Sequence, residues 1–290
     1  MNKKITVIIL TYKTNLQTLK NCLNSIDKNI NILVIENSKK FKNEKSLITK
    51  YKNLKIFCTG SNLGYAKGNN YGLKKITTKY ALILNPDTIC QKNFFKNINE
   101  TIKNVKEFHI IGCQYSEKFL DKQAGFFNDN SSIRFNNLTK VDWVRGFSLL
   151  VNIKKFKNKK IFDENFFLFF EEFDLCKKTL INGNLIYSSN KLLVKHLGFK
   201  GSFASDAKYE IDALKLKNWH YMWSQFYFNK KYEGIFISYI KGLASLLKNS
   251  IKILFNIITN NELETIKYKF RFSGLLSSMM AKKSSFRINF

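Results

Sequence analysis

Four short apolar runs divide the first 84 residues at regular intervals: Ile5–Leu10, Ile32–Ile35, Leu54–Phe57 and Ala81–Leu84. Each stops at polar turn residues. Short apolar runs without alternation read as strands covered on both faces. Between the first two, Leu16, Leu19, Leu23 and Ile26 recur at helical spacing. A basic helix or loop follows the second run to Lys52, and Tyr65–Lys75 reads as helical. Strands alternating with helices predict right-handed βαβ units and a mostly parallel α/β sheet with helices on both faces.

The fourth run ends at Asn85-Pro86-Asp87, and Pro86 is the only proline in the chain. Proline donates nothing to a strand ladder and holds the preceding residue extended. Asp87 is therefore expected beyond the carboxyl end of a buried strand, where open α/β sheets bind ligands. A carboxylate there suits a divalent cation on a phosphate. The competing reading is an ordinary turn in which Asp87 caps the next element.

Past Ile98 the pattern loosens. His109–Cys113 reads as a strand, 115–140 as an irregular loop over a site, and Val141–Val151 as partly apolar. The aromatic stretch Phe162–Phe170 leads into Glu171-Glu172-Phe173-Asp174, with a helix expected from Asp174 to Leu180 and a C-cap at Asn182-Gly183. Carboxylates beside aromatic walls gain raised pKa values and suit a general base; alternatively they are first-turn acids favoured by the helix dipole. Leu185–Ser188 and Leu192–Val194 read as two short strands leading to His196, one of three histidines. Its imidazole is a possible metal ligand or a structural group. Asn62-Leu63-Gly64 through Gly72 offers a turn with close backbone approach, and Lys67 beside it a phosphate contact. It fits neither the dinucleotide fingerprint nor the P-loop.

The net charge is +28, which attracts polyanions. The abundance of Lys and Asn throughout makes placement more telling than total. Five cysteines are scattered singly, an arrangement that suits a reducing compartment with free thiols and argues no zinc site. Ile5–Leu10 is too short for a signal peptide, so a cytoplasmic chain is expected. After Tyr209 the composition changes: an aromatic cluster from Trp219 to Phe228, a long segment from Gly234 to Thr259, and a basic, aromatic tail from Tyr268. In the long segment Lys241, Lys248 and Lys252 fall along one side of a helix, with Ser245 and Asn256, and apolar residues occupy much of the rest. This predicts an interfacial helix on an anionic membrane surface, or a helix packed on the catalytic domain.

Taken in order, these features resemble the family 2 glycosyltransferases of GT-A fold, in particular the rhamnosyltransferase-like branch of bacterial surface-polysaccharide biosynthesis. The resemblance runs from Ile5 to about Lys231. Val7-Ile8-Ile9-Leu10-Thr11-Tyr12 is similar to the opening strand and nucleotide-contacting turn, and Val34-Ile35-Glu36-Asn37-Ser38 to the second strand end, where an acid meets the base or ribose. Asn62, Gly64, Asn70 and Gly72 match an Asn-x-Gly…Asn-x-Gly signature. Leu84-Asn85-Pro86-Asp87 resembles the metal-binding Asp-x-Asp with Asn85 in place of the first acid. Glu171-Glu172-x-Asp174-Leu175 resembles the base-bearing Glu-Asp-x-Asp-Leu, and Trp223-Ser224-Gln225-Phe226-Tyr227-Phe228-x-x-Lys231 a motif just after the catalytic domain.

The resemblance implies a catalytic domain over 1–205 and a helical, membrane-associating extension over 206–290. It implies inverting transfer of a sugar from a dTDP- or UDP-linked donor to an oligosaccharide or lipid-linked acceptor. Mg²⁺ or Mn²⁺ would be held by Asp87 and His196, with Glu172 as base. Asp174 would join Glu172 as a catalytic residue, Trp143, Arg145, Gly146 and Glu171 would shape the sugar and acceptor pocket, and the protein would be peripheral on the cytoplasmic face of the inner membrane. A nucleotidyltransferase would show a Gly-rich, Lys-bearing loop after the first strand, which Thr11-Tyr12-Lys13-Thr14 is not. A nucleic-acid-binding protein would explain the charge, but no such module is recognisable, and no nucleic-acid partner is expected.

Overall fold

The computed structural model describes the chain except for 1–3, 106, 116–123, 128–133, 136, 199–200, 203–208 and 289–290. It divides into two compact units. The first holds 1–63, 67–163 and 172–203; the second holds Gly64–Ala66, Glu164–Glu171 and the chain from Ala204.

The first unit begins with β1 (Ile5–Thr11), α1 (Leu16–Asn24), β2 (Asn31–Glu36), α2 (Glu44–Lys50), β3 (Leu54–Cys58), α3 (Gly64–Lys75) and β4 (Tyr80–Leu84). Asn15 caps α1 by accepting from the Gln17 and Thr18 amides. The three residues of β5 (Thr88–Cys90) follow, then α4 (Phe94–Asn104) and β6 (Ile110–Tyr115). Short strands β7 (Ala124–Gly125), β8 (Arg134–Phe135), β9 (Leu138–Lys140) and β10 (Trp143–Val144) precede β11 (Ser148–Asn152), α5 (Glu171–Ile181) and β12 (Ile186–His196).

The main sheet runs β3-β2-β1-β4-β11-β6-β12-β9-β8, with β5 paired to β12. β1 is parallel to both β2 and β4, and β11 lies antiparallel between β4 and β6. The chain therefore builds outward from β1 on one side, then returns to add β4 on the other. That reversal opens a crevice at the carboxyl ends of β1 and β4. Every residue of β4 is buried, as its uninterrupted apolar sequence requires. On α3, a Cβ at Gly68 would lie 2.5 Å from the Leu10 side chain, so this glycine lets the helix settle onto β1.

Several expectations change. The region after Ile98 does not loosen at once: α4 runs through it and buries Phe94, Phe95, Ile98 and Thr101. The two strands expected over Leu185–Val194 are one, β12, whose pairing with β6 shifts between Ser188 and Leu193. The loop expected over 115–140 contains β7, β8 and β9; much of its remainder lies outside the described residues. At the end of α5, Gly183 takes a φ of +70° and its amide bonds Leu180 O, the expected glycine C-cap. Cys22, Cys90, Cys113 and Cys176 are buried, and desolvation pushes the thiols of Cys22, Cys113 and Cys176 up to about 12. These are inert packing groups.

The second unit is built on α6 (Glu210–Glu233), α7 (Ile235–Ile258) and α8 (Glu262–Met279). The tail expected to be merely basic and aromatic thus begins inside a helix. Gly234, at φ +89°, turns the chain between α6 and α7. A Cβ on Gly274 would come within 2.1 Å of Trp219 O, so α6 and α8 meet backbone to backbone here. Met222, Phe226, Leu275 and Met279 form the core between them. The C-terminal segment is tied back by Trp223 Nε1 donating to Lys282 O, and by His220, whose ring nitrogens contact Ser284 Oγ and Phe286 O at 2.9 Å. Burial drives the His220 pKa down to about 3, so this tie is neutral.

Candidate active site

The site grows from the carboxyl ends of the central strands. Thr11 and Glu36 end β1 and β2 opposite each other in register. The Thr11 hydroxyl donates to Glu36 Oε2 at 2.6 Å, and burial raises the pKa of this carboxyl. Asn37 follows, its Nδ2 donating to Asn62 Oδ1 and its own Oδ1 accepting from the Leu63 amide. The candidate nucleotide residues Thr11, Glu36, Asn37 and Asn62 therefore form one hydrogen-bonded rim. Tyr12, just past β1, bridges to Ser202, and Lys67 is exposed on α3. Asn70 is placed differently: it is fully buried, donating to Phe162 O and accepting from the Ile161 and Phe162 amides. Those bonds staple α3 to the 161–162 backbone.

Beyond β4, the Asn85 amide donates to Phe147 O, and Thr88 closes the turn through its amide and hydroxyl on Asn85 O. β5 then pairs antiparallel with β12, setting Thr88 opposite His196. That register brings His196 Nε2 to 3.3 Å from Asp87 Oδ1. Asp87 is only 3% exposed. The imidazole packs against Tyr115 and Phe147, with ring centroids at 5.5 and 5.4 Å, and those two rings stack on each other at 4.4 Å. Gly201 passes so close that a Cβ would lie 3.1 Å from Asp87 Oδ1, and its carbonyl accepts from Thr14 Oγ1.

This pair fits a divalent cation. Mg²⁺ binds oxygen at about 2.0–2.1 Å in octahedral geometry, so adjacent ligands sit about 3 Å apart, close to the separation present here. Among the described residues no cluster of three or more His, Cys, Asp or Glu side chains is gathered for a metal. Two protein ligands with the rest from substrate phosphates and water is the usual arrangement for such ions.

The second half of the site lies at the start of α5. Burial separates its three acids: Asp174 is wholly buried, Glu171 nearly so, and Glu172 partly buried. Desolvation raises the Glu172 pKa above the ordinary carboxylate range, against the opposing pull of the Arg145 guanidinium and the Gly146 amide. Arg145 lies over the rings of Trp143 and Phe173, 5.7 and 6.0 Å from their centroids. Trp143, Arg145 and Gly146 are thus assembled around Glu172.

Phe147 was not legible as a site residue. It accepts from Asn85, stacks on His196, and immediately follows the Gly146 amide that faces Glu172. The two-residue segment Gly146–Phe147 therefore touches both the turn before Asp87 and Glu172. An apolar residue in an apolar run carries no chemical mark; the preceding Arg145-Gly146 was the only available signal.

The chain preceding α5 belongs to the second unit. Phe169 and Phe170 adopt φ of +70° and +67°, a left-handed region costly for aromatic residues. Both rings meet Tyr221 edge-on, and Ser224 Oγ donates to Leu168 O.

The mostly parallel central sheet, with its helices and the crevice at the carboxyl ends of β1 and β4, is that of the GT-A glycosyltransferase fold. The chain matches the family Glycosyl transferase family 2 over residues 6–174, and it belongs to that family. It is 24% identical over 188 residues to the low-salt glycan biosynthesis hexosyltransferase Agl10 of Haloferax volcanii, covering 59% of this chain and 60% of that protein. This chain therefore spans about three fifths of the length of that relative. Among solved structures it is similar to the mannosyltransferase PcManGT from Pyrobaculum calidifontis in complex with GDP-Man and Mn²⁺, at TM-score 0.56 and 10% identity, covering 97% of this chain and 88% of that one. It is also similar to S. aureus TarS 1-349 in complex with UDP-GlcNAc, at TM-score 0.53 and 15% identity, covering 99% and 94%. These likenesses bear out the GT-A fold.

Proposed function

We propose that this protein transfers a sugar, with inversion, from a dTDP- or UDP-linked donor to a hydroxyl of an oligosaccharide or lipid-linked acceptor in surface-polysaccharide biosynthesis. One observation carries the reading. Gly146–Phe147 links a buried carboxylate–imidazole pair at a strand end to a partly buried glutamate of raised pKa. A leaving-group end and a proton-accepting end thereby share one crevice.

In the reaction the acceptor oxygen attacks the anomeric carbon. The bond from that carbon to the β-phosphate oxygen breaks, and its electron pair leaves with the nucleoside diphosphate. Glu172 takes the acceptor proton; its raised pKa makes it a better base than an ordinary carboxylate. Arg145 and the Gly146 amide orient the carboxylate, and Trp143 walls the sugar. Asp174, wholly buried beneath this turn, shapes the pocket from below. Asp87 and His196 would hold Mg²⁺ or Mn²⁺, which when bound neutralises charge on the diphosphate. The Thr11, Tyr12, Glu36, Asn37 and Asn62 rim would seat the nucleoside, with Lys67 toward the phosphates, and the acceptor would be met at the cytoplasmic face of the inner membrane. The excess of basic residues favours both the anionic donor and an anionic membrane.

The test is incubation with a panel of UDP-, dTDP- and GDP-sugars, with Mn²⁺ and a lipid-linked acceptor. Metal-dependent release of nucleoside diphosphate and a product of inverted anomeric configuration are expected. Retained configuration, or undiminished turnover in excess EDTA, contradicts the reading.

A further inference from the structure

α7 is built inside out. Its buried positions are Ser238, Gly242, Asn249 and Asn256, and they face the rest of the three-helix unit. Gly242 lies against Met279 and Phe226, where a Cβ would come within 3.1 Å of the Met279 sulfur. Its exposed positions include Phe236 at 84%, Ile240 at 69%, Leu247 at 64% and Ile258 at 80%. At about 100° per residue these four residues, with Leu243, Ile251 and Leu254, span roughly 80° of the circumference, nearly opposite the buried stripe. Lys241, Lys248 and Lys252 are exposed along one edge of that apolar face. The sequence placed the lysines and Asn256 on one polar side. The structure splits that side, burying the small polar residues and leaving the lysines out.

We infer that this face of α7 lies in the surface of an anionic bilayer, its axis parallel to the membrane plane and its lysine edge among the lipid headgroups. The inference deepens the membrane half of the reading above and does not depend on the chemistry of sugar transfer. A water-facing helix with this exposed row would hold a large apolar patch in solvent, which marks an interaction surface. No described helix is long and apolar enough to cross a membrane, so the face lies on the bilayer rather than through it. Charge chooses the bilayer over a second copy. From 210 to 288 there are thirteen Lys and Arg against five Asp and Glu, so two copies would repel, and lysine is depleted from interfaces between proteins. Anionic headgroups complement both the edge and the unit.

Full-length protein is mixed with phosphatidylcholine vesicles, with or without phosphatidylglycerol, and sedimented. Wild type is expected to pellet with the anionic vesicles. Ile240→Glu with Leu247→Glu, both exposed, should weaken binding by more than about tenfold, since two buried aliphatic side chains are lost. Lys248→Gln and Lys252→Gln should each weaken it about fivefold, at about 1 kcal/mol per lysine. Wild type that ignores anionic vesicles, or a double-Glu variant that binds undiminished, overturns the inference. So does a dimer in sedimentation equilibrium that the double-Glu variant converts to monomer, for then a second copy covers the face. Vesicle binding without sugar transfer would overturn the catalytic reading and leave this one standing.

Discussion

Asp87 and Glu172 are two carboxylates of the first unit, held in opposite ways. Asp87 sits beyond a wholly buried strand, and the β5–β12 register delivers His196 to face it at 3.3 Å. Glu172 stands on the first turn of a helix, partly buried, entered through two left-handed aromatic residues. The first arrangement suits a charge that stays in place through the reaction. The second suits a group that must meet an incoming acceptor and change protonation. Their removal should therefore have separable consequences.

The largest effect is expected from Asp87→Ala, which should abolish transfer by removing the charged ligand at the leaving-group end; a coupled assay for nucleoside diphosphate checks it. Glu172→Gln keeps size and removes basicity, so turnover at saturating donor should fall by roughly 10²-fold or more, with donor KM nearly unchanged. His196→Ala should weaken metal affinity by about 10- to 100-fold, the scale of losing a group that supports a metal site. It should leave the fold intact, because the ring lies at the end of β12, and thermal melts with a Mn²⁺ titration read both. Any of these three losing stability and function together would blur the division between the two ends.

How far the site was legible follows from the same division. Asp87 was marked by the lone proline, because a proline after a buried apolar run fixes where the strand must end. Glu172 was marked by its order among other motifs. His196 was marked as a rare histidine at a strand end, but its pairing with Asp87 came only through resemblance, since their meeting depends on a register that sequence spacing does not specify. The left-handed Phe169-Phe170 was invisible: aromatic residues there contradict local preference, and tertiary contacts to Tyr221 hold them. α4 was missed, although Phe94, Phe95, Ile98 and Ile102 recur at helical spacing. In α7 the period was legible and the direction was not. Periodicity separates two faces without saying which one is covered.

A smaller effect sharpens the account of the base. Because burial raises its folded pKa, Glu172 favours the protonated folded state. That stability is fully present below the ordinary carboxylate pKa and is lost as pH rises through the raised value. Wild type should then show an acid limb in kcat inflecting above the ordinary carboxylate range. Glu172→Gln should lose that limb and be no less stable than wild type at pH 8 by thermal melt. The smallest effect on turnover is expected from Glu171→Gln. Glu171 is nearly buried, so its loss should appear in the melting temperature and barely in kcat. If Glu171→Gln stops turnover and Glu172→Gln does not, the assignment is reversed.

The most direct measurement is a calorimetric titration of nucleoside diphosphate, with and without Mn²⁺, into wild type, Asp87→Ala and Glu172→Gln. The account predicts metal-dependent binding of equal affinity in wild type and Glu172→Gln, and binding weakened by at least about tenfold in Asp87→Ala, the low end for disrupting a metal site. Equal losses in both variants, or affinity indifferent to Mn²⁺, would contradict it.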